Sequence, residues 1–228
     1  MELNCMENNV KLNRFSPGKD WPVNENLDKA LDLLDPIKNK FGDVLSWADL
    51  IILAANTALE AASNDTISLS FCPGRVDDKD GRGWEHLQPR IMGNFSETLI
   101  TLKDYISVMG ISQKQFAALI GAGYAVGGTD NCRGLYCKRL TKTSGDLMNK
   151  NLSNAFFTDL LDNTWEEIEV NNIKLYKAKD RTLFMYKTDI MFKFDAELLA
   201  ISQEFAADNQ LFLDQFSEAW TVLANADR

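Results

Sequence analysis

A helical hydrophobic period runs through most of this chain and is interrupted by one alternating stretch. Between Asn26 and Phe41, Leu27, Ala30, Leu31, Leu34, Ile37 and Phe41 recur every three to four residues and predict a helix with one apolar stripe. Pro36 predicts a kink or break at Asp35-Pro36. Ser46 then offers an N-cap with Asp49 placed to answer it, and the run Trp47 to Ala62 is apolar enough for a central, largely buried helix. Thr66 to Phe71 alternates only weakly and leads into CPGRVDDKDGRG, whose Pro, Gly and Asp predict a long surface loop. Helical spacing returns from Glu97 to Val108. Behind a Ser112 cap it resumes at Gln113, and the glycines of GAGYAVGG are expected to stop that helix near Ala122.

Ser153 to Leu161 predicts a short helix with Phe156, Phe157, Leu160 and Leu161 on its apolar side. From TWEEIEV through Asn171-Asn172 to IKLYKAKDRTLFMY the period becomes alternating, which predicts a β-hairpin and the only strand region. Two more helices are expected, over Ala196 to Ala207 and Leu211 to Ala224. The expected fold is mainly α with one small β-hairpin and no internal repeat.

Composition narrows the function classes. At 228 residues, 45% hydrophobic and 25% charged, the chain makes one or two globular domains. It has no apolar run of about 18 residues, so it is expected to be soluble or peripheral, not membrane-spanning. The start MELNCMENNVKLNRF has neither a signal-type apolar stretch nor a transit composition, so a targeting segment is expected to have been removed or never present. A net charge of -9 with scattered basic residues excludes nucleic acid as a partner, because phosphate contacts need clustered Lys and Arg. Cys5, Cys72, Cys132 and Cys137 form no CxxC pair and have no histidines beside them, which argues against structural zinc or any other metal site. Free thiols are expected, with a small Cys132–Cys137 disulfide loop as the alternative in an oxidising compartment.

Three motifs then occur in order: Leu34-x-Pro36-Ile37-Lys38, Ser46-Trp47-Ala48-Asp49-Leu50 and Pro73-Gly74-Arg75-x-Asp77. Together with LKDYISVMGISQKQFAALIGAG and the closing YKTDIMFKFDAELLAISQEFAAD and FSEAWTVLANADR, they resemble the class I haem peroxidases, from about Arg14 to Arg228. Trp84-x-x-Leu87-x-Pro89-Arg90 and Leu152-Ser153-Asn154-x-Phe156-Phe157 are most similar to the non-haem C-terminal domain of catalase-peroxidases. The resemblance implies an N-terminal extension over residues 1–24 and, over 25–228, a degenerate, truncated haem-peroxidase-like helical domain without the distal helices.

The chemistry of that family requires an imidazole under the iron, held by a carboxylate, and an Arg and His pair above it. The chain has a single histidine, His86, in Trp84-Glu85-His86-Leu87, expected to be an exposed or partly packed loop residue. Alignment by count against ascorbate peroxidases puts Gly123 at the proximal histidine, and against catalase-peroxidases it puts Tyr124 there. Tyrosinate can ligate haem, yet Tyr124 is expected to be a partly buried side chain filling the vacated space. Asp189 matches the proximal aspartate and is expected to cap a helix or hold a local network, and Leu152 stands where the family has its proximal tryptophan.

These losses imply a catalytically inactive chain with no catalytic residues and no haem. Without its distal cover, the helix over Trp47 to Leu59 would leave apolar surface at roughly 25 cal/mol per Å². Docking through that side onto other protein subunits of a larger assembly is therefore expected, with a membrane complex among the assemblies to which it could be peripheral. Three alternatives stay open. The N-terminal 24 residues could fold back and close the face; the chain could be an atypical haem-binding peroxidase acting on hydrogen peroxide, with Tyr124 and Asp189 at the haem; or a partner chain could supply the distal residues. The relatives make a plastid or mitochondrion as reasonable a location as the cytosol.

Overall fold

Helices supply most of the fold, as the periodicity predicts. The computed structural model describes residues 8–10, 15–16, 18–20, 27–80, 95–127, 151–170 and 173–225. Along them run β1 (Asn8–Val10), α1 (Leu27–Phe41), α2 (Trp47–Ala62), β2 (Arg75–Asp77), α3 (Phe95–Met109), α4 (Gln113–Gly127) and α5 (Ala155–Asp162). Then follow β3 (Trp165–Val170), β4 (Ile173–Ala178), β5 (Phe184–Met185), α6 (Lys187–Ile190), α7 (Ala196–Ala207) and α8 (Asn209–Ala224). The chain divides into two units, one drawn from Met1–Ala58, Ser70–Ile91 and Ala224–Arg228, the other from Leu59–Leu69 and Met92–Leu223. His86, Cys5, Cys132, Cys137 and the Asn171-Asn172 turn lie outside the described residues.

In the first unit, α1 runs unbroken through Pro36. Proline removes one intrahelical donor, and the helix continues past it. At the C-terminal end the Lys38 ammonium donates to the carbonyls of Gly42 and Leu45, both at 2.6 Å, where Gly42 turns at φ +55°. Ser46 caps α2 as expected, its hydroxyl accepting the Asp49 N–H at 3.0 Å. Asp49 does not answer it. Its carboxylate instead accepts from the Gly74 N–H (2.7 Å), the Arg75 N–H (3.2 Å) and the Arg75 guanidinium (2.9 Å). Asp77 takes up the first donors of α2, accepting from Trp47 N–H at 3.0 Å and Ala48 N–H at 2.9 Å.

The expected long surface loop is therefore corrected around Arg75, which is only 3% exposed. Its guanidinium also donates to the carbonyls of Cys72 and Ala224 and to the Asn225 side chain. A buried charge must be paired, and this pairing draws the segment inward. β2 lies in the same segment and pairs in parallel with β1, so part of the N-terminal extension is bound to the unit. The strand region at 165–186 is thus not the only one. Cys72 is disulfide-bonded rather than a free thiol, its partner lying outside the described residues. The expectation of free thiols rested on the general rarity of such bonds inside cells.

The expected burial of α2 is also corrected: Ala48, Asp49, Leu50 and Asn56 are its buried residues, and Leu53 is 39% exposed. A helix apolar around most of its circumference needs cover all round. The fold supplies that cover over only part of it.

The second unit holds the main core. Phe156 and Phe157 of α5 meet edge-on at 4.9 Å, Phe157 meets Phe205 of α7 at 5.0 Å and Phe212 of α8 at 5.7 Å, and Phe192 meets Phe156 at 5.5 Å. Edge-to-face packing of this kind exceeds simple area burial by about 0.5–1.5 kcal/mol per pair. The carbonyls left at the end of α5 are satisfied by the Trp165 indole N–H to Leu160 (3.0 Å) and by Lys193, which donates to Leu160, Leu161 and Asn163. The hairpin forms as predicted, with Trp165 opposite Ala178 and Val170 opposite Ile173, and β5 adds a third antiparallel strand beside β4. Mainly helical with one small hairpin sheet, the fold matches the expected class.

Candidate functional site

Gly123, Tyr124, Leu152 and Asp189, the positions matched to the proximal side of the haem site, fall in the second unit. α4 does not stop near Ala122 but runs through the glycines to Gly127. The reason is packing at Gly121, where a Cβ would meet the Phe157 ring at 2.6 Å and the Phe212 ring at 3.1 Å. Glycine here permits close approach to the neighbouring side chains and does not end the helix. A Cβ on Gly123 would meet nothing within 4 Å.

The same helix carries Tyr124 inward until it is 4% exposed, edge-on to Phe156 at 5.4 Å. Its hydroxyl donates to a carboxylate oxygen of Asp159 at 3.1 Å. Asp159 on α5 is itself 4% exposed, and the Arg181 guanidinium stands 3.8 Å from its other oxygen. Arg181 is largely exposed, so this second contact is weak. Sequence reasoning missed Asp159. The signal was available as an acid three residues beyond Phe156, within the apolar stripe of a short amphipathic helix.

Asp189 is not joined to Tyr124. As N3 of α6 its carboxylate accepts the Tyr186 N–H at 2.8 Å in a capping box and a hydrogen bond from Thr188. Burial, opposed by those two bonds, pushes its carboxyl up to about 6. Leu152 is buried at 3%, its N–H donating to the Ala62 carbonyl at 2.7 Å.

These groups do not fit haem. Histidine occurs only at residue 86, so none of the described residues offers an imidazole. Tyr124 faces Asp159 as a proton donor, whereas iron ligation needs the phenolate, and a phenolate there would set two anions 3.1 Å apart. Nor do any three His, Cys, Asp or Glu side chains among the described residues gather into a metal-binding group.

The family model described as Peroxidase matches residues 6–208. The chain belongs to the peroxidase family. Among its relatives are catalase-peroxidases of Erythrobacter litoralis (strain HTCC2594), 32% identical over 243 residues, and Sphingopyxis alaskensis (strain DSM 13593 / LMG 18877 / RB2256), 31% identical over 242 residues. A third, from Phenylobacterium zucineum (strain HLK1), is 30% identical over 251 residues. Each alignment covers 94% of this chain and 32% of the relative. This peroxidase-family chain thus spans about a third of the length of the curated relatives it matches.

Proposed function

We propose that this peroxidase-family chain is catalytically inactive and haem-free, and that it serves as an accessory or structural subunit docked in a larger protein assembly. One observation carries the haem-free reading. Of the two positions matched to the proximal histidine, Gly123 has no donor atom and Tyr124 is committed through its hydroxyl to a buried carboxylate, while Asp189, matched to the proximal aspartate, is committed to a helix cap. Tyr124 thereby packs in the core, and Asp189 serves its own helix end. The docking reading is supported by α2, whose apolar sequence is only partly buried and whose Leu53 is 39% exposed. Other protein subunits are the partners this surface suits.

Titration of the purified chain with haem tests the first half. Baseline absorption with no stoichiometric Soret band is expected. A Soret band at one haem per chain that shifts in Tyr124→Phe would establish the alternative, an atypical haem-binding peroxidase acting on hydrogen peroxide. Size-exclusion chromatography of native extract tests the second half. Elution with a larger assembly is expected, and elution solely as a small monomer would remove the docking reading.

A further inference from the structure

The sequence holds three Asn-x-Ser/Thr triplets, the pattern that accepts an N-linked oligosaccharide: Asn64-Asp65-Thr66, Asn94-Phe95-Ser96 and Asn151-Leu152-Ser153. Their surroundings differ. Asn64, Asp65 and Thr66 are all exposed, in the turn that ends α2. Asn151 is followed by Leu152, which is buried at 3% and donates its N–H to Ala62. Asn94 lies outside the described residues.

The first turn is held without the Asn64 side chain. Asn64 and Asp65 take φ +54° and +56°, the left-handed region that Asn and Asp tolerate better than other non-glycine residues. Backbone bonds fix it: Asn64 N–H to the Ala61 carbonyl (3.1 Å), Asp65 N–H to Glu60 (2.9 Å) and Thr66 N–H to Ser63 (3.3 Å). The Asn64 side-chain amide has no hydrogen-bond partner among the described residues. A sugar on that nitrogen would displace no contact of the fold. An independent observation bears on the compartment: Cys72 is disulfide-bonded, and such bonds persist in oxidising compartments such as the secretory lumen, where N-linked oligosaccharides are added. We propose that Asn64 is an N-glycosylation site.

The donor is an oligosaccharide carried on a lipid pyrophosphate and delivered by a transferase. Asn64 Nδ2 attacks the anomeric carbon of its first sugar and forms a C–N bond. The C–O bond to the pyrophosphate breaks, the lipid pyrophosphate leaves with the electron pair, and Nδ2 gives up one proton to solvent. Nothing is oxidised or reduced. The Thr66 hydroxyl, which the acceptor pattern requires, donates to the Ser63 carbonyl at 2.6 Å in the finished turn, so transfer precedes closure of the turn. The site stands independently of the haem-free and docking readings.

Peptide mapping of the protein isolated from its native source, after peptide N-glycosidase treatment in heavy-oxygen water, tests it. The expected result is conversion of residue 64 to a labelled aspartate, with the intact glycopeptide present before treatment. In the same cells Asn64→Asp and Thr66→Ala are each expected to lose the glycan at residue 64, whereas Thr66→Ser should keep it. An unmodified Asn64 peptide in the native protein, or conversion confined to Asn94 or Asn151, would overturn the assignment. Should the substituted chains fail to fold, the map of the unsubstituted protein decides alone.

Discussion

Two glycines two residues apart in α4, and so on opposite sides of it, have opposite roles. Gly121 has no room for a side chain against Phe157 and Phe212, while Gly123 faces open space. Gly121→Ala is therefore expected to destabilise the fold by about 1–3 kcal/mol through overpacking. Gly123→Ala should stabilise it by up to about 1 kcal/mol through helix propensity, both read from urea unfolding midpoints. Asp189 predicts a pH dependence. Its carboxyl is raised from 3.8 to about 6 in the folded chain, so the folded state holds the proton more tightly than the unfolded one. Its contribution is fully present below pH 3.8 and falls away as pH rises through 6, a loss on the order of 3 kcal/mol. Asp189→Asn keeps a cap acceptor without the charge. It should be more stable than the unsubstituted chain at pH 7 and converge with it below pH 4 in thermal unfolding. At this scale Tyr124 and Asp189 were recognisable in the sequence, whereas Asp159 showed only as an acid within an apolar stripe, without its partner. Its role depends on α4 and α5 packing together, and neither segment carries that information alone.

The elements themselves were largely legible. Amphipathic spacing marked α1, α3, α5, α7 and α8 to within a few residues, because the apolar stripe that forms a helix is the stripe it buries. Punctuation was less reliable. The glycines of GAGYAVGG suggested a stop where the helix continues, and CPGRVDDKDGRG suggested a surface loop where Arg75 is buried. In each case a distant partner decided, Phe157 for the glycines and Asp49 for the arginine. Asp49 ties β2 to the start of α2 through three hydrogen bonds. Asp49→Ala leaves the Arg75 charge buried without its carboxylate and is expected to cost about 3–5 kcal/mol. Equilibrium unfolding reads that cost, and increased proteolysis near β2 should accompany it. An unchanged midpoint would mean that the pair adds nothing to stability.

For the whole molecule, the apolar surface of α2 is where the proposed docking can be tested apart from folding. Leu53→Asp should change the stability of the isolated chain by less than about 1 kcal/mol, since the residue is already 39% exposed. The same substitution is expected to shift the native complex toward the monomer in size-exclusion chromatography, and an unaltered elution would exclude this face from docking. Among the described residues no helix is long and apolar enough to cross a membrane. The sequence by itself determined the helical class, the hairpin, the family and the presence of a single histidine, because each depends on local periodicity or on the identity of residues in order. Only the tertiary structure decided that Tyr124 is bonded to Asp159, that Asp189 caps its own helix, that Arg75 is buried and that α2 is only partly covered. Those outcomes depend on which side chains meet across elements, where desolvation and pairing of buried polar groups outweigh local preference.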